Sequence, residues 1–167
     1  GKGPDPPRDH EKGEYISMEI KWNKEHEMGI EEFDRDHKRL FSIASKLLDK
    51  VRDPEDIKDS QVRLFVLREG VRYLRGYFDQ HAIREEAYMR KIGYGDYALH
   101  KQLHDEFKEN TLSSYERVLE TGECSREEVM DFVGRGIGWL LEHISTADLA
   151  IVGRGTLGKP RITRINT

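Results

Sequence analysis

Six ionisable side chains occupy positions where a packed helix needs carbon. Apolar residues recur by threes and fours along four stretches of the chain, and His37, His81, Glu85, His100, His104 and His143 fall on the same stripe. The first seam runs Phe33, His37, Leu40, Ala44, Leu47, Val51. The second runs Leu64, Leu67, Val71, Leu74, Phe78, His81, Glu85, Tyr88, Ile92. The third runs Tyr97, His100, His104, Phe107 and then weakens. The fourth runs Val129, Val133, Gly136, Leu140, His143, Ala147, Ala150. Such spacing marks the face a helix buries. A buried imidazole or carboxylate without partners costs several kcal/mol. One such residue is ordinarily a hydrogen-bonded core histidine. Six of them, contributed by four helices, need a common cause, and a metal centre supplies one.

Breakers separate the seams. Asp53-Pro54 stands between the first and second, Gly93 and Gly95 between the second and third, and Gly122 before the fourth. Ser125 with Glu128 three residues on reads as a capping box opening the fourth helix. Short connections favour antiparallel neighbours. The expected fold is therefore all-α, an antiparallel up-down-up-down four-helix bundle. It occupies residues 18–152, between a leader at 1–17 (a linker or expression leader, with Met18 as the natural start) and a glycine-containing tail at 153–167.

The donor spacing fits a shared site. His81 and Glu85 are four apart and share a helix face, and His100 and His104 repeat that geometry. His143 and Asp148 are five apart, an offset of about 140° on an ideal helix. That pair needs an adjusted last turn or a sideways reach. Five histidines and two carboxylates exceed the four ligands of a tetrahedral zinc. They suit two adjacent metals, and imidazole with carboxylate selects borderline ions such as iron, with manganese and zinc also compatible. If both ions are six-coordinate, both carboxylates bridge and one oxygen from water bridges as well, a single coordination position is left over, which suits an end-on diatomic ligand.

Composition narrows the partners. With 28 basic and 32 acidic residues the net charge is -4, which argues against a nucleic-acid binder. No apolar run approaches the roughly 18 residues a membrane span needs. The first fifteen residues lack the apolar core of a secretory signal. Cys124 is the only cysteine and fits a reducing cytoplasm. It is expected to be an exposed loop thiol.

At this point the sequence resembles the hemerythrin family, in particular its bacterial domains. The resemblance covers about residues 22–150. It rests on Trp22 and Met28-Gly29-Ile30 ahead of Asp36-His37-Lys38, on His81-Ala82-Ile83-Arg84-Glu85-Glu86 with Met89, on His100-Lys101-Gln102-Leu103-His104 with Phe107, and on Trp139-Leu140-Leu141-Glu142-His143-Ile144 ending at Asp148. The resemblance implies that His100, His104 and His143 hold one iron, that His37 and His81 hold the other, and that Glu85 and Asp148 bridge the two beside an oxo or hydroxo group. It further implies reversible dioxygen binding on the two-iron centre, with Leu40 and Leu140 as the apolar wall. Most members carry a large aromatic where this chain has Ala82, so the pocket is expected to be wider and the site to oxidise more readily, unless a neighbouring side chain fills the space.

Other features are set aside. Gly153 to Lys159 matches phosphate-loop patterns, but no strand precedes it and Pro160 stands where Ser or Thr is required. Gly134, Gly136 and Gly138 in the fourth helix are read as packing positions rather than a gas path. His10 and His26 are read as solvated. Tyr73, Tyr77 and Trp139 are read as packing residues, with Trp139 close enough to Leu140 to touch the site's surroundings. Three functions compete: an oxygen carrier or store, an oxygen or redox sensor controlling an attached signalling domain, and, last, a di-iron enzyme acting on peroxide or nitric oxide. No residue reads as a dedicated catalytic acid or base, so binding rather than turnover is expected.

Overall fold

The protein is described by a computed structural model covering residues 20–157. The leader at 1–17, Met18, His10 and the tail beyond residue 157, with the Lys159 and Pro160 of the phosphate-loop pattern, lie outside the described residues.

Four long helices form because each carries one apolar stripe and stops at the breakers. Helix α1 is Glu31–Asp49. Helix α2, residues 60–92, comprises α-helical Ser60–Tyr73, a π-helical turn Leu74–Phe78 and α-helical Asp79–Ile92. Helix α3, residues 97–120, comprises Tyr97–Glu106, a π turn Phe107–Leu112 and Ser113–Glu120. Helix α4, residues 126–151, comprises Arg126–Asp131, a π turn Phe132–Ile137, Gly138–His143, a second π turn Ile144–Asp148 and Leu149–Ile151. Asp59 caps α2 by accepting from the Gln61 amide at 2.8 Å. The capping box opens α4: the Glu128 amide donates to Ser125 Oγ at 3.0 Å, and the Ser125 amide donates to Glu128 Oε1 at 2.9 Å. Gly93 closes α2 in the left-handed region at φ +66, which a side chain would resist.

Cross-helix contacts fix the topology. Tyr73 donates to the Arg39 carbonyl across α1 and α2. Lys108 pairs with Asp79 at 3.0 Å across α2 and α3. Tyr115 donates to the Asp131 carboxylate across α3 and α4 at 3.0 Å. A second contact for each pair sets the direction: Asp36 meets Arg84 where Arg39 meets Tyr73, Glu86 meets His104 where Arg75 meets Glu116, and His104 meets His143 where Tyr115 meets Asp131. Numbers thus run oppositely on neighbouring helices, and the bundle is antiparallel and up-down-up-down. Among the described residues no helix is long and apolar enough to cross a membrane.

The third seam weakens in the sequence where the π turn Phe107–Leu112 inserts an extra residue. Beyond it the stripe resumes with Leu112 and Tyr115, both buried. Ile92, counted on the second seam, is instead 47% exposed, because it lies at the last turn of α2 just before the Gly93 cap. Cys124 is also not the exposed thiol expected: it is buried, and burial pushes its thiol up to about 11. Arg63 holds this loop down by donating to the Cys124 carbonyl at 2.6 Å and to the Ile57 carbonyl at 2.7 Å. Nor is His26 simply solvated. Its ring lies 5.4 Å from Trp22 and 4.8 Å from Phe41.

Packing explains Gly136, where an added Cβ would stand 3.0 Å from the Phe132 ring and 3.4 Å from Tyr115. Within the helices a tighter approach is at a glycine the sequence did not single out. At Gly70 an added Cβ would overlap the Phe132 ring, and Phe132 is fully buried. Alanine normally improves a helix by about 1 kcal/mol over glycine. Overpacking of this kind costs about 1–3 kcal/mol. Gly70→Ala is therefore expected to destabilise the fold by up to about 2 kcal/mol once the helix gain is subtracted, read as a lower urea midpoint; a midpoint raised by the substitution would contradict this packing.

Candidate metal centre

Helices α1, α2, α3 and α4 each turn donors into one small buried volume, toward the end of the bundle where α2 finishes and α3 begins. The donor atoms form two groups in which all members lie within 4.8 Å of one another: Glu85, His100, His104, His143 and Asp148; and His37, His81, Glu85 and Asp148. All seven residues are buried. The structure thus brings together every donor read from the sequence.

The link that sequence spacing left open is the pair His143 and Asp148. The π turn Ile144–Asp148 resolves it. A π turn closes i to i+5, so residues five apart come onto one face, and such turns recur at functional sites. His143 Nε2 accordingly lies 3.0 Å from Asp148 Oδ1.

The carboxylates divide their oxygens between the two groups. Glu85 Oε1 lies 2.8 Å from His100 Nε2 and 3.3 Å from His104 Nε2, whereas Oε2 lies 3.2 Å from His81 Nε2. Asp148 Oδ1 lies 3.1 Å from His100 and 3.0 Å from His143, whereas Oδ2 lies 3.0 Å from His37. Both oxygens of both carboxylates lack a hydrogen-bond partner despite complete burial.

Imidazole chemistry makes this arrangement incompatible with ordinary hydrogen bonding. His100, His104 and His143 place their Nε2 atoms 3.0–3.1 Å apart in a triangle. His37 and His81 do the same at 3.0 Å. A neutral ring nitrogen carries one proton or one lone pair, so a triangle of such atoms cannot satisfy itself. Glu86 accepts from His104 Nδ1 at 2.9 Å, and Asp36 accepts from His81 Nδ1 at 3.0 Å. With Nδ1 protonated, each neutral ring turns an Nε2 lone pair inward. Converging lone pairs and carboxylates call for cations.

The edge lengths indicate the coordination. Adjacent corners of an octahedron with bonds of ~2.1 Å lie ~3.0 Å apart, whereas tetrahedral corners lie ~3.4 Å apart. The observed triangle matches the octahedron. In the second group His37 to Glu85 Oε2 is 4.0 Å and His81 to Asp148 Oδ2 is 3.9 Å, near the ~4.2 Å of opposite octahedral corners. The residues present therefore fit cation binding, in two adjacent donor groups of five and four that share both carboxylates.

Electrostatics of the metal-free cluster follow from the same contacts. Burial alone lowers the basicity of His100, but the Asp148 and Glu85 carboxylates reverse this and set it at about 9. His81 is likewise raised against its own burial by Glu85, Asp148 and Asp36. His143 is lowered, with burial dominant. Burial disfavours the Glu85 and Asp148 charges, yet the surrounding imidazoles hold both groups below the usual carboxylate range. For Asp36, burial is outweighed by His81 and Arg84, which set it at about 2.

Around the donors, Trp139 stacks on His143 at 4.6 Å and on Phe107 at 4.0 Å. Phe78 meets His104 edge-on at 5.5 Å. Trp139 is thus more than the packing residue read from the sequence, since it fixes a donor ring. Leu40, Ala82 and Leu140 are all fully buried in the main apolar cluster. Asp36 and Glu86, which orient histidines, were missed as functional residues. Each stands beside a donor in sequence, but charge next to a seam normally reads as a solvated flank.

Comparison with known proteins agrees with this geometry. The family model described as Hemerythrin HHE cation binding domain matches residues 28–154. A protein named Bacteriohemerythrin from Clostridium acetobutylicum is 29% identical over 128 residues, covering 76% of this chain and 94% of the relative. A Bacteriohemerythrin from Pseudomonas aeruginosa is 27% identical over 131 residues, 78% of each chain. No solved structure matches.

Proposed function

The chain belongs to the hemerythrin family, and on that premise we propose that its seven buried donors hold two iron ions and that the loaded protein binds dioxygen reversibly, as a carrier or store. The observation that carries this reading is the division of the Glu85 and Asp148 oxygens between a three-histidine group and a two-histidine group. When bound, a pair of irons supplies the electrons and the coordination position that hold a diatomic ligand. Positions that the seven side chains leave unfilled would be taken by an oxo or hydroxo group from water. His100, His104 and His143 serve the ion with more protein donors. His37 and His81 serve the other, whose fewer donors leave room for a ligand.

The protein's own part is orientation and exclusion of water. Asp36 and Glu86 fix the tautomers of His81 and His104, and Trp139 fixes the plane of His143. Leu40 and Leu140 form an apolar wall, which keeps water and its protons away from the donor cluster. The test is iron analysis with optical spectra of the reduced protein before and after air. About two irons per chain and a charge-transfer band that reverses on removing oxygen are expected. One ion per chain, or a band that never reverses, would refute the reading.

Removing an orienting carboxylate should weaken metal binding without abolishing it. Such partners are typically worth 10–100-fold in affinity. Glu86→Ala is expected to release iron to a competing chelator at about tenfold lower chelator concentration than the parent. Release at an unchanged concentration would show that Glu86 does not orient His104.

Ala82 favours a second reading, an oxygen or redox sensor. A small side chain next to His81 leaves less bulk against water, and a site that oxidises readily suits signalling better than storage. Ala82→Phe is expected to lengthen the half-life of the oxygenated form several-fold. Equal half-lives would remove this argument for sensing.

A further inference from the structure

An open groove of about 530 Å³ runs between α1 and α2 on the outer face of the bundle. We propose that it is a docking surface for an acidic amphipathic helix of a partner protein. Its floor is apolar, formed by Ile43, Leu47 and the ring of Tyr73. Phe65 and Tyr77 stand at its sides, 44% and 41% exposed, which is unusual for rings of that size. At Gly76 an added Cβ would meet nothing within 4 Å, so the floor stays open. Two antiparallel helices with an unfilled apolar furrow between them accept a third helix by ridges-into-grooves packing.

Charge at the rim selects the sign of the occupant. Lys46, Lys50 and Arg72 line the groove against one carboxylate, Glu69. Arg72 lies 3.9 Å from Glu69. Lys50 sits over the Phe65 ring at 5.2 Å, and neither Lys46 nor Lys50 forms an ion pair with a carboxylate among the described residues. A positive, apolar groove thus stands on a chain whose net charge is -4. Apolar anchors flanked by carboxylates complement it.

The groove also ends beside the metal centre. Tyr77 lines both it and a second cavity of about 180 Å³ bounded by Leu40 and Asp36. Between the two, Arg39 donates to the Tyr77 hydroxyl at 2.6 Å and lies over its ring at 4.3 Å. A docked helix would therefore rest against the residue that separates it from the Leu40 wall and the carboxylate behind His81.

The test uses the full chain and a fluorescein-labelled helical peptide with Leu at i, i+3, i+4 and i+7 flanked by Glu. Its counterpart carries Lys for every Glu. Anisotropy is expected to show at least about tenfold tighter binding of the acidic peptide, weakening as salt rises. Lys46→Glu with Lys50→Glu should weaken it at least about tenfold, while Lys38→Glu with Lys91→Glu, exposed but outside the groove, should change it less than about twofold. Phe65→Ser should weaken it as well. These side chains are exposed, and circular dichroism checks each variant's fold. Equal losses from both charge reversals, or no preference between the peptides, would overturn the proposal. Self-association of the free chain that Phe65→Ser abolishes would overturn it too, in favour of a second copy. Metal content, measured on the same samples, keeps this result separate from the iron reading.

Discussion

Asp148→Asn is expected to strip both ions from the chain, not one. The side chain keeps its size, so the π turn that presents it has no steric reason to change. An amide, however, offers one oxygen and a pair of N–H donors. Asp148 Oδ1 faces His100 and His143 while Oδ2 faces His37. A donor-only amino group in either position points protons at a cation. Glu85→Gln is expected to act alike, because Oε1 faces His100 and His104 while Oε2 faces His81. Each substitution also removes one of the two charges that offset the ions in a buried site, where an uncompensated charge is strongly unfavourable. Iron per chain should fall from about two to well below one, and a change of several kcal/mol in binding carries the loss. His37→Ala provides the contrast. It removes a donor from the four-donor group alone and should leave about one ion. Two retained ions in Asp148→Asn would refute the bridging role of Asp148, and loss of a single ion would assign the carboxylate to one group alone.

How much of this was legible in the sequence depends on whether the signal was local. The donors were legible because histidine and glutamate on an apolar seam contradict their surroundings, and four seams repeated the contradiction. The helix ends were legible at Ser125 with Glu128 and at Gly93, where cap chemistry lies within a few residues. The π turns were not. Ile144 to Asp148 carries no composition that distinguishes i→i+5 from i→i+4 bonding, and only the convergence of His143 and Asp148 on a common centre reveals it. The weakened third seam was a trace of the turn at Phe107–Leu112, read as loss of pattern where the pattern had shifted by one residue. Glu86 and Asp36 escaped because their partners, His104 and His81, are distant in sequence. Cys124 was misread for the opposite reason: Gly122 and Ser125 are loop residues, but Arg63 from another helix buries the loop they make. Gly70 reads as a weak helix former, and only Phe132 from α4 shows why nothing larger fits.

Removing the metal is expected to lower the melting temperature steeply, and by more at pH 8.5 than at pH 6. An ion at a thousandfold excess over its Kd stabilises the native state by about 4 kcal/mol, so two give about 8 kcal/mol. At roughly 2–4 °C per kcal/mol for a chain of this size, the drop is about 15–30 °C. The pH dependence follows from what replaces the ions. In the metal-free protein the Glu85 and Asp148 charges are held by protonated imidazoles. His100 has a folded pKa of about 9, above the ordinary histidine value. Its contribution is therefore fully present below about pH 6.5 and is lost as pH rises through 9. His81, raised by Glu85, Asp148 and Asp36 against its burial, adds to the same loss. Glu85 and Asp148 are depressed, so their contribution is present above about pH 4.5 and is lost on acidification. His143, lowered by burial, opposes folding as pH falls below its unfolded value. Metal-free stability should accordingly peak on the mildly acidic side of neutrality and decline toward pH 9. The loaded protein behaves in the opposite sense, because bound ions require deprotonated histidines and the protons they displace become scarcer as pH rises. Melting both forms at pH 6, 7.5 and 8.5 measures the gap between them. A gap that stays constant or narrows would mean that the histidines are not exchanging protons for metal.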